Sequence, residues 1–136
     1  MKRRTDYQQA MNQELMRVYC EVAGKHECRG QYEAYEQTVR HPASRFYVSA
    51  KHAHRMIYPM LRGDASALEG MTDLKKQMYK DLLDVTLELS RRREFRGRSP
   101  YYILQFAVTR PAPRFYISAK RMSKIFTTET ERRRCS

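Results

Sequence analysis

One pattern of basic residues occurs twice in the chain, each time around a nearly identical segment. Residues 42–51 read PASRFYVSAK and residues 111–120 read PAPRFYISAK, and eight of the ten positions are identical. The two basic sets are Arg45, Lys51, His52 and Arg55 in the first copy, and Arg114, Lys120, Arg121 and Lys124 in the second. Cationic side chains grouped in this way neutralise phosphate groups, so the pattern predicts contacts with a nucleic acid.

The lysines of this pattern occupy positions where a positive charge does not stabilise a helix. Ser49 and Ser118 are predicted N-caps, so Lys51 and Lys120 fall in the first turn of a helix. The helix dipole disfavours a cation there, which weakens a purely structural explanation. Helical spacing also separates the basic positions from the apolar stripe of the same helix. The sequence therefore predicts an exposed basic face on a capped helix in each copy.

The chain as a whole is strongly basic. It has 136 residues with 27 Lys and Arg against 15 Asp and Glu, a formal net charge of +12. Such an excess favours a polyanionic partner. Further basic runs lie at Lys2–Arg4, Arg91–Arg93 and Arg132–Arg134. These have simpler explanations, as solubilising ends or as cations at the negative end of a helix.

The cysteines and histidines do not have the spacing of a metal site. Cys20, His26 and Cys28 form a loose cluster without a CxxC or HxxxH pattern. The second copy has Leu87 and Phe95 at the two cysteine positions, so we expect the cysteines to act as small buried hydrophobes. Three cysteines, an odd number, argue against a disulfide framework and favour a reducing, cytoplasmic location. We expect no metal and no other cofactor.

Catalytic residue patterns are also missing. A nucleophile needs an adjacent base that a third group orients. All four histidines lie in the first copy, and the second copy has Arg or Ser at the equivalent positions. The sequence has no glycine-rich phosphate loop. We therefore expect a protein that is not an enzyme.

Sequence similarity between the two copies extends along most of the chain. Upstream of the repeated decapeptide the offset is 67 residues, so that Thr5-Asp6 matches Thr72-Asp73. The chain is interpreted as a tandem duplication. The predicted first repeat spans residues 5–62 and the second spans 72–127, with a linker at 63–71 and a flexible basic tail at 128–136.

Each repeat has the pattern of three helices. The first is long, begins at a predicted N-cap, Thr5 or Thr72, has apolar residues at steps of four, four, three and four, and is expected to end at an Arg-Gly pair. The second is short, with Ser99 as its predicted N-cap in the second copy, and stops before Pro42 or Pro111. A third helix follows, which Pro59 is expected to end in the first copy. The predicted fold is therefore mainly α, a tandem duplication of a three-helix unit.

A short extended segment precedes each third helix. Arg45–Val48 and Arg114–Ile117 are rich in residues that favour extended backbone. They could pair as a two-stranded β-ribbon or remain isolated. Phe and Tyr within them could stack on single-stranded bases, although alternation along an extended segment turns one of each pair towards the core.

Double-stranded DNA is the partner that these patterns favour. A short helix followed by a capped basic helix is analogous to a helix-turn-helix arrangement, although about nine residues separate the two helices here. RNA or single-stranded DNA is a second possibility. The alternative from another class is a helical scaffold or protein-interaction subunit, binding an acidic partner or itself. The apolar runs are too short for a membrane span.

Overall fold

The fold is built from helices. The computed structural model describes the backbone of residues 6–25 and 29–135 and the side chains of this set up to residue 132. Six α-helices lie in the described part of the chain: α1 (Asp6–Ala23), α2 (Gln31–Arg40), α3 (Ala50–Leu61), α4 (Asp73–Ser90), α5 (Pro100–Ala107) and α6 (Ala119–Cys135). Short 3-10 turns occur at Ser66–Leu68 and Arg93–Phe95. The prediction of a mainly α fold is confirmed.

The starts of the helices follow the capping residues of the sequence. The Thr72 hydroxyl accepts a hydrogen bond from the backbone N–H of Lys75 at 3.3 Å. The Ser99 hydroxyl accepts one from Tyr102 at 3.2 Å, and Pro100 is the first residue of α5. The predicted cap Thr5 lies outside the described residues. Local chemistry thus fixes where α4 and α5 begin.

The ends of the long helices differ from the prediction. Both α1 and α4 end before the Arg-Gly pair that was expected to terminate them. After α4 the chain forms the 3-10 turn, which buries Phe95, and only then reaches Gly97 with its φ of 74°. Gly30 has extended backbone and serves as the N-cap of α2. The arginine-glycine pairs therefore belong to the connections that lead into α5 and α2.

The chain divides into two compact units whose composition cuts across the sequence repeats. Unit 1 consists of residues 1–43 and 113–136, and unit 2 consists of residues 44–112. In unit 1, α6 packs on α1 and α2, whereas in unit 2 α3 packs on α4 and α5. Each unit therefore combines the first two helices of one repeat with the third helix of the other.

Unit 1 has an apolar core to which all three of its helices contribute. Its buried residues include Leu15, Val18, Val22, Ala34, Val39, Phe115, Met122 and Ile125. An aromatic cluster joins the helices, since the Tyr19 ring centroid lies 5.5 Å from that of Tyr35 and 4.6 Å from that of Phe126. The backbone N–H of Phe115 donates to the Val39 carbonyl at 3.0 Å. This bond fixes the segment before α6 to the end of α2.

Unit 2 repeats this arrangement with the other helices. Its buried residues include Phe46, Ala53, Ile57, Leu68, Leu82, Leu89, Leu104 and Val108. The backbone N–H of Phe46 donates to the Val108 carbonyl at 2.9 Å, as Phe115 does to Val39 in unit 1. The predicted β-ribbon is not confirmed, because no strand occurs in the described residues. The amides of Phe46 and Phe115 are instead bonded to the ends of the short helices.

Proline does not end α3 where it was expected to. Pro59 lies inside the last turn, and the helix continues to Leu61. The termination is a Schellman motif, in which Gly63 has a φ of 85°. The backbone N–H of Gly63 donates to the Met60 carbonyl at 3.0 Å, and the backbone N–H of Asp64 donates to the Pro59 carbonyl at 2.9 Å. The predicted linker 63–71 then contributes buried Leu68 to the core of unit 2.

The C-terminal segment also differs from the prediction. Residues 128–136 were expected to form a flexible tail, but α6 is helical through Cys135. Side-chain contacts continue past Phe126, since the Asn12 amide on α1 donates to the Glu129 carboxylate at 3.4 Å. In addition, no described helix is both long enough and apolar enough to cross a membrane.

Candidate nucleic-acid interface

The third helices begin at the serines that the sequence singles out. The Ser49 hydroxyl accepts a hydrogen bond from the His52 backbone N–H at 3.1 Å. The Ser118 hydroxyl accepts the equivalent bond from Arg121, also at 3.1 Å. Both predicted N-caps are confirmed. The caps fix where each helix begins, and the apolar residues buried on one side of the helix then set which residues of the basic pattern face outwards.

The α3 basic face consists of Lys51, His52 and Arg55, all exposed in unit 2. The opposite side of α3 carries Ala53, Met56 and Ile57, which are buried in that unit. Apolar contacts therefore anchor the helix while the three basic side chains project to solvent.

The α6 basic face consists of Lys120, Arg121 and Lys124, all exposed in unit 1. Met122 and Ile125 are buried beneath it. These three residues occupy the same sequence positions relative to Ser118 as the α3 basic face does relative to Ser49. Each unit thus presents one basic face on its third helix.

The cations of both faces have no anionic partner among the described residues. The ion pairs there join Arg17 to Glu14 and Glu21, and Arg92 to Glu88. None of them involves the α3 or the α6 basic face. The positive charge of these faces is therefore available to an external anion.

Arg45 and Arg114, which the sequence groups with the basic faces, are placed differently. Both side chains are partly buried. Each donates from Nε to the carbonyl oxygen of the following phenylalanine at 3.0 Å. Arg45 also donates from a terminal nitrogen to the Val48 carbonyl at 3.4 Å. These arginines hold the extended segments that lead into α3 and α6.

A small recess in unit 1 adjoins the α6 basic face. It encloses about 100 Å³ and is lined by Arg121 and Lys124 of α6 together with Gln8 and Asn12 of α1. Arg121 and Lys124 are the two cations of this lining and suit an oxyanion such as a phosphate oxygen, whereas the Asn12 amide is bonded to the Glu129 carboxylate. The sequence does not indicate Gln8 or Asn12 as site residues, because nothing in it shows that α1 packs against the third helix of the other repeat.

The corresponding position of unit 2 is aromatic. Tyr79 matches Asn12 in the sequence repeat, and its ring centroid lies 6.3 Å from that of His52. Burial raises the pKa of the Tyr79 hydroxyl, so this ring is neutral at physiological pH and adds no negative charge beside the α3 basic face. The two faces therefore have matching cations at Lys51 and Lys120 and at Arg55 and Lys124, whereas α3 has His52 where α6 has Arg121, and their flanks differ.

Formal charge is divided evenly between the units. Unit 1 contains 14 Lys and Arg against 8 Asp and Glu, and unit 2 contains 13 against 7, so each carries +6. By contrast, residues 68–136 of the sequence contain 16 of the 27 basic residues. Because unit 1 contains α6 and unit 2 contains α3, the two units carry the same net charge.

The cysteine prediction needs correction. Cys20 is exposed and not buried, because its position on α1 lies away from the core stripe. Cys28 and His26 lie outside the described residues. Within the described residues, no three His, Cys, Asp or Glu side chains are grouped as metal ligands would be.

Comparison with known proteins gives no relative. No protein-family model, curated protein sequence or solved structure matches this chain significantly.

Proposed function

We propose that this protein binds double-stranded DNA, without catalysing a reaction, through the α3 and α6 basic faces. One observation carries the proposal. Two capped helices, one in each compact unit, expose equivalent sets of three basic residues with no counter-ion among the described residues. Cations left in this state gain free energy by releasing counterions from a phosphate backbone. A helix with a basic N-terminal part also has the dimensions to enter a major groove.

The burial of the aromatic side chains in the two repeated segments favours duplex DNA over single-stranded DNA as the partner. Phe46 and Phe115 are 0% and 1% exposed, so neither offers a face to a base. Tyr47 is partly buried, and its ring lies 5.9 Å from the Arg45 guanidinium. Stacking platforms for unpaired bases need exposed rings. The repeated segment does not have them, whereas its cations are suited to phosphates on a helical surface.

The proposal includes an origin by tandem duplication, which would give the protein two related binding elements. The helix boundaries support it. Helices α1 and α4 end 67 positions apart, at Ala23 and Ser90, while α3 and α6 start 69 positions apart. These are the offsets of the repeated sequence. A cytoplasmic location is part of the same proposal, supported by the exposed thiol of Cys20.

The helix-turn-helix analogy has to be revised within this proposal. Helices α2 and α3 are consecutive in the sequence but belong to different compact units. The basic helix that packs on α2 is α6, beside α1, and the basic helix that packs on α5 is α3, beside α4. Each basic helix is therefore supported by a short helix from the other repeat.

A charge-matched comparison tests the proposal. Fluorescence anisotropy would measure binding of random-sequence duplex DNA over a series of salt concentrations. The double variant Lys120→Ala/Lys124→Ala should bind more weakly to every sequence, and its salt slope should fall by about one for each phosphate that the variant leaves unneutralised. The control Lys75→Ala/Lys80→Ala removes two exposed lysines from α4 and should retain the slope.

Competition then identifies the form of nucleic acid. Unlabelled duplex DNA should displace the probe at lower concentration than single-stranded DNA or duplex RNA of the same sequence. Unchanged affinity and salt slope in Lys120→Ala/Lys124→Ala would contradict the proposal. An equal loss in the control variant would show that only the total charge matters.

A further inference from the structure

A groove on unit 2 is separate from both basic faces. It encloses about 500 Å³ between the end of α4, the Arg93–Phe95 turn and α5. Leu89 and Phe95 contribute apolar side chains that are 2% and 9% exposed. Tyr102 and Phe106 project from α5 beside them, 36% and 44% exposed. This is an apolar recess with an open aromatic side.

The aromatic residues of the groove form one continuous surface. The ring centroids of Phe95 and Phe106 lie 5.2 Å apart, as do those of Tyr102 and Phe106. The rings are inclined to each other by 67° and 55°. An exposed apolar patch bordered by polar residues is typical of an interaction site. Inclined rings above an aliphatic side chain form a concave apolar surface that suits another apolar side chain.

Arginines border the groove. Arg92 and Arg110 line it, and the Arg98 guanidinium lies 5.0 Å from the centre of the Tyr102 ring. The acid in the lining is Glu94, while Glu88 is 3.6 Å from Arg92. Because Arg92 is paired with Glu88, the charges left at the border are those of Arg98 and Arg110 against that of Glu94, a small positive excess. A partner that fits it combines an apolar side chain with neighbouring carboxylates.

The first repeat does not have these aromatic residues. At the positions of Tyr102 and Phe106 the short helix α2 carries Glu33 and Gln37. Their side chains are hydrogen-bonded to each other at 3.4 Å, which gives that helix a polar surface. The groove therefore belongs to one copy only, unlike the basic faces that both copies share. Such a difference is expected of a second binding function.

We propose that this groove binds an acidic peptide segment of a partner protein. An aromatic or aliphatic side chain of the segment enters between Phe106 and Leu89, and its carboxylates meet Arg98 and Arg110, since Arg92 is already paired with Glu88. This binding is independent of the proposed contact with DNA, because it uses none of the residues of the α3 and α6 basic faces.

Selection from a random peptide library, with the full-length protein as bait, tests this proposal. The counter-selection bait is Tyr102→Glu/Phe106→Gln, which introduces the residues that α2 carries at these positions. Both changes are at exposed sites, and circular dichroism would verify that the variant folds. Enriched peptides should contain Asp or Glu around a Phe, Leu, Ile or Trp. Their affinity, measured by fluorescence anisotropy, should fall about tenfold or more in the variant.

Two further measurements separate this site from DNA binding and from single-stranded nucleic acid. Lys120→Ala/Lys124→Ala should bind the selected peptides as the unchanged protein does. The proposal is overturned if no peptide distinguishes the two baits, or if the selected peptides lack acidic residues. It is also overturned if Tyr102→Glu/Phe106→Gln binds the peptides normally and loses affinity for a single-stranded oligonucleotide instead.

Discussion

Arg114 donates a hydrogen bond from its Nε to the backbone oxygen of Phe115, 3.0 Å away. Arg45 makes the same bond, of the same length, to Phe46. In both places the phenylalanine ring is buried and its backbone N–H is bonded to the end of a short helix. The arginine therefore stabilises the segment that carries the chain into a basic helix. This explains why both copies have arginine at these positions without requiring that it touch DNA.

Arg114→Lys separates the two roles of this position. Lysine keeps the positive charge but lacks the guanidinium Nε–H group. It therefore cannot make the hydrogen bond that Arg114 donates to the Phe115 carbonyl. We expect the free energy of unfolding in urea to fall by about 0.5–1.5 kcal/mol. Affinity for duplex DNA should change far less than in Lys120→Ala/Lys124→Ala. Unchanged stability with a large loss of affinity would assign Arg114 to the interface instead.

The serine caps predict a loss of stability. Ser49→Ala and Ser118→Ala each remove a hydroxyl that accepts a backbone hydrogen bond at 3.1 Å. Each change should cost about 1 kcal/mol, measured by chemical denaturation. Ser49→Asp supplies another good capping group and serves as the control, with stability near that of the unchanged protein. If the alanine variants keep full stability but lose binding, the serines belong to the binding site.

The composition of unit 2 predicts that a continuous fragment folds by itself. Residues 44–112 contain α3, α4 and α5 with their shared core. A fragment of this length buries a modest core, so its stability should be low but its thermal unfolding cooperative. Circular dichroism would detect this transition.

The matched control fragment is the second sequence repeat, residues 72–127. It keeps α4 and α5 but lacks α3, so buried Ala53 and Ile57 are missing from its core. We expect it to unfold at a lower temperature than the 44–112 fragment. A more stable 72–127 fragment would mean that α6 replaces α3 on α4 and α5, against the division of the chain into these units.

Local patterns were sufficient to predict most of the helices. Ser49, Thr72, Ser99 and Ser118 cap the helices that they were expected to cap, because capping depends on a few neighbouring residues. The exposure of Lys51 and Lys120 also follows from helical periodicity alone. These features are set within one turn of helix and need no tertiary information.

The exchange of third helices could not be predicted in the same way. The two copies have similar apolar faces, so the alternation of the extended segment predicts that one of Phe115 and Tyr116 is buried but not whether Val39 or Val108 accepts the N–H of Phe115. The recess beside Arg121 depends on that choice, because Gln8 and Asn12 reach it only when α6 packs on α1. The length of α6 likewise depends on a tertiary contact, between Asn12 and Glu129.

Amide chemical-shift changes during titration with a short DNA duplex would identify the bound surface residue by residue. The isotope-labelled full-length protein would be followed at moderate salt. We expect the largest changes at residues 51–55 of α3 and 120–124 of α6, with small changes at the exposed lysines 75 and 80 of α4. Shifts confined to the Arg91–Arg98 region, or spread evenly over all exposed basic residues, would contradict the claim that the α3 and α6 basic faces bind the duplex.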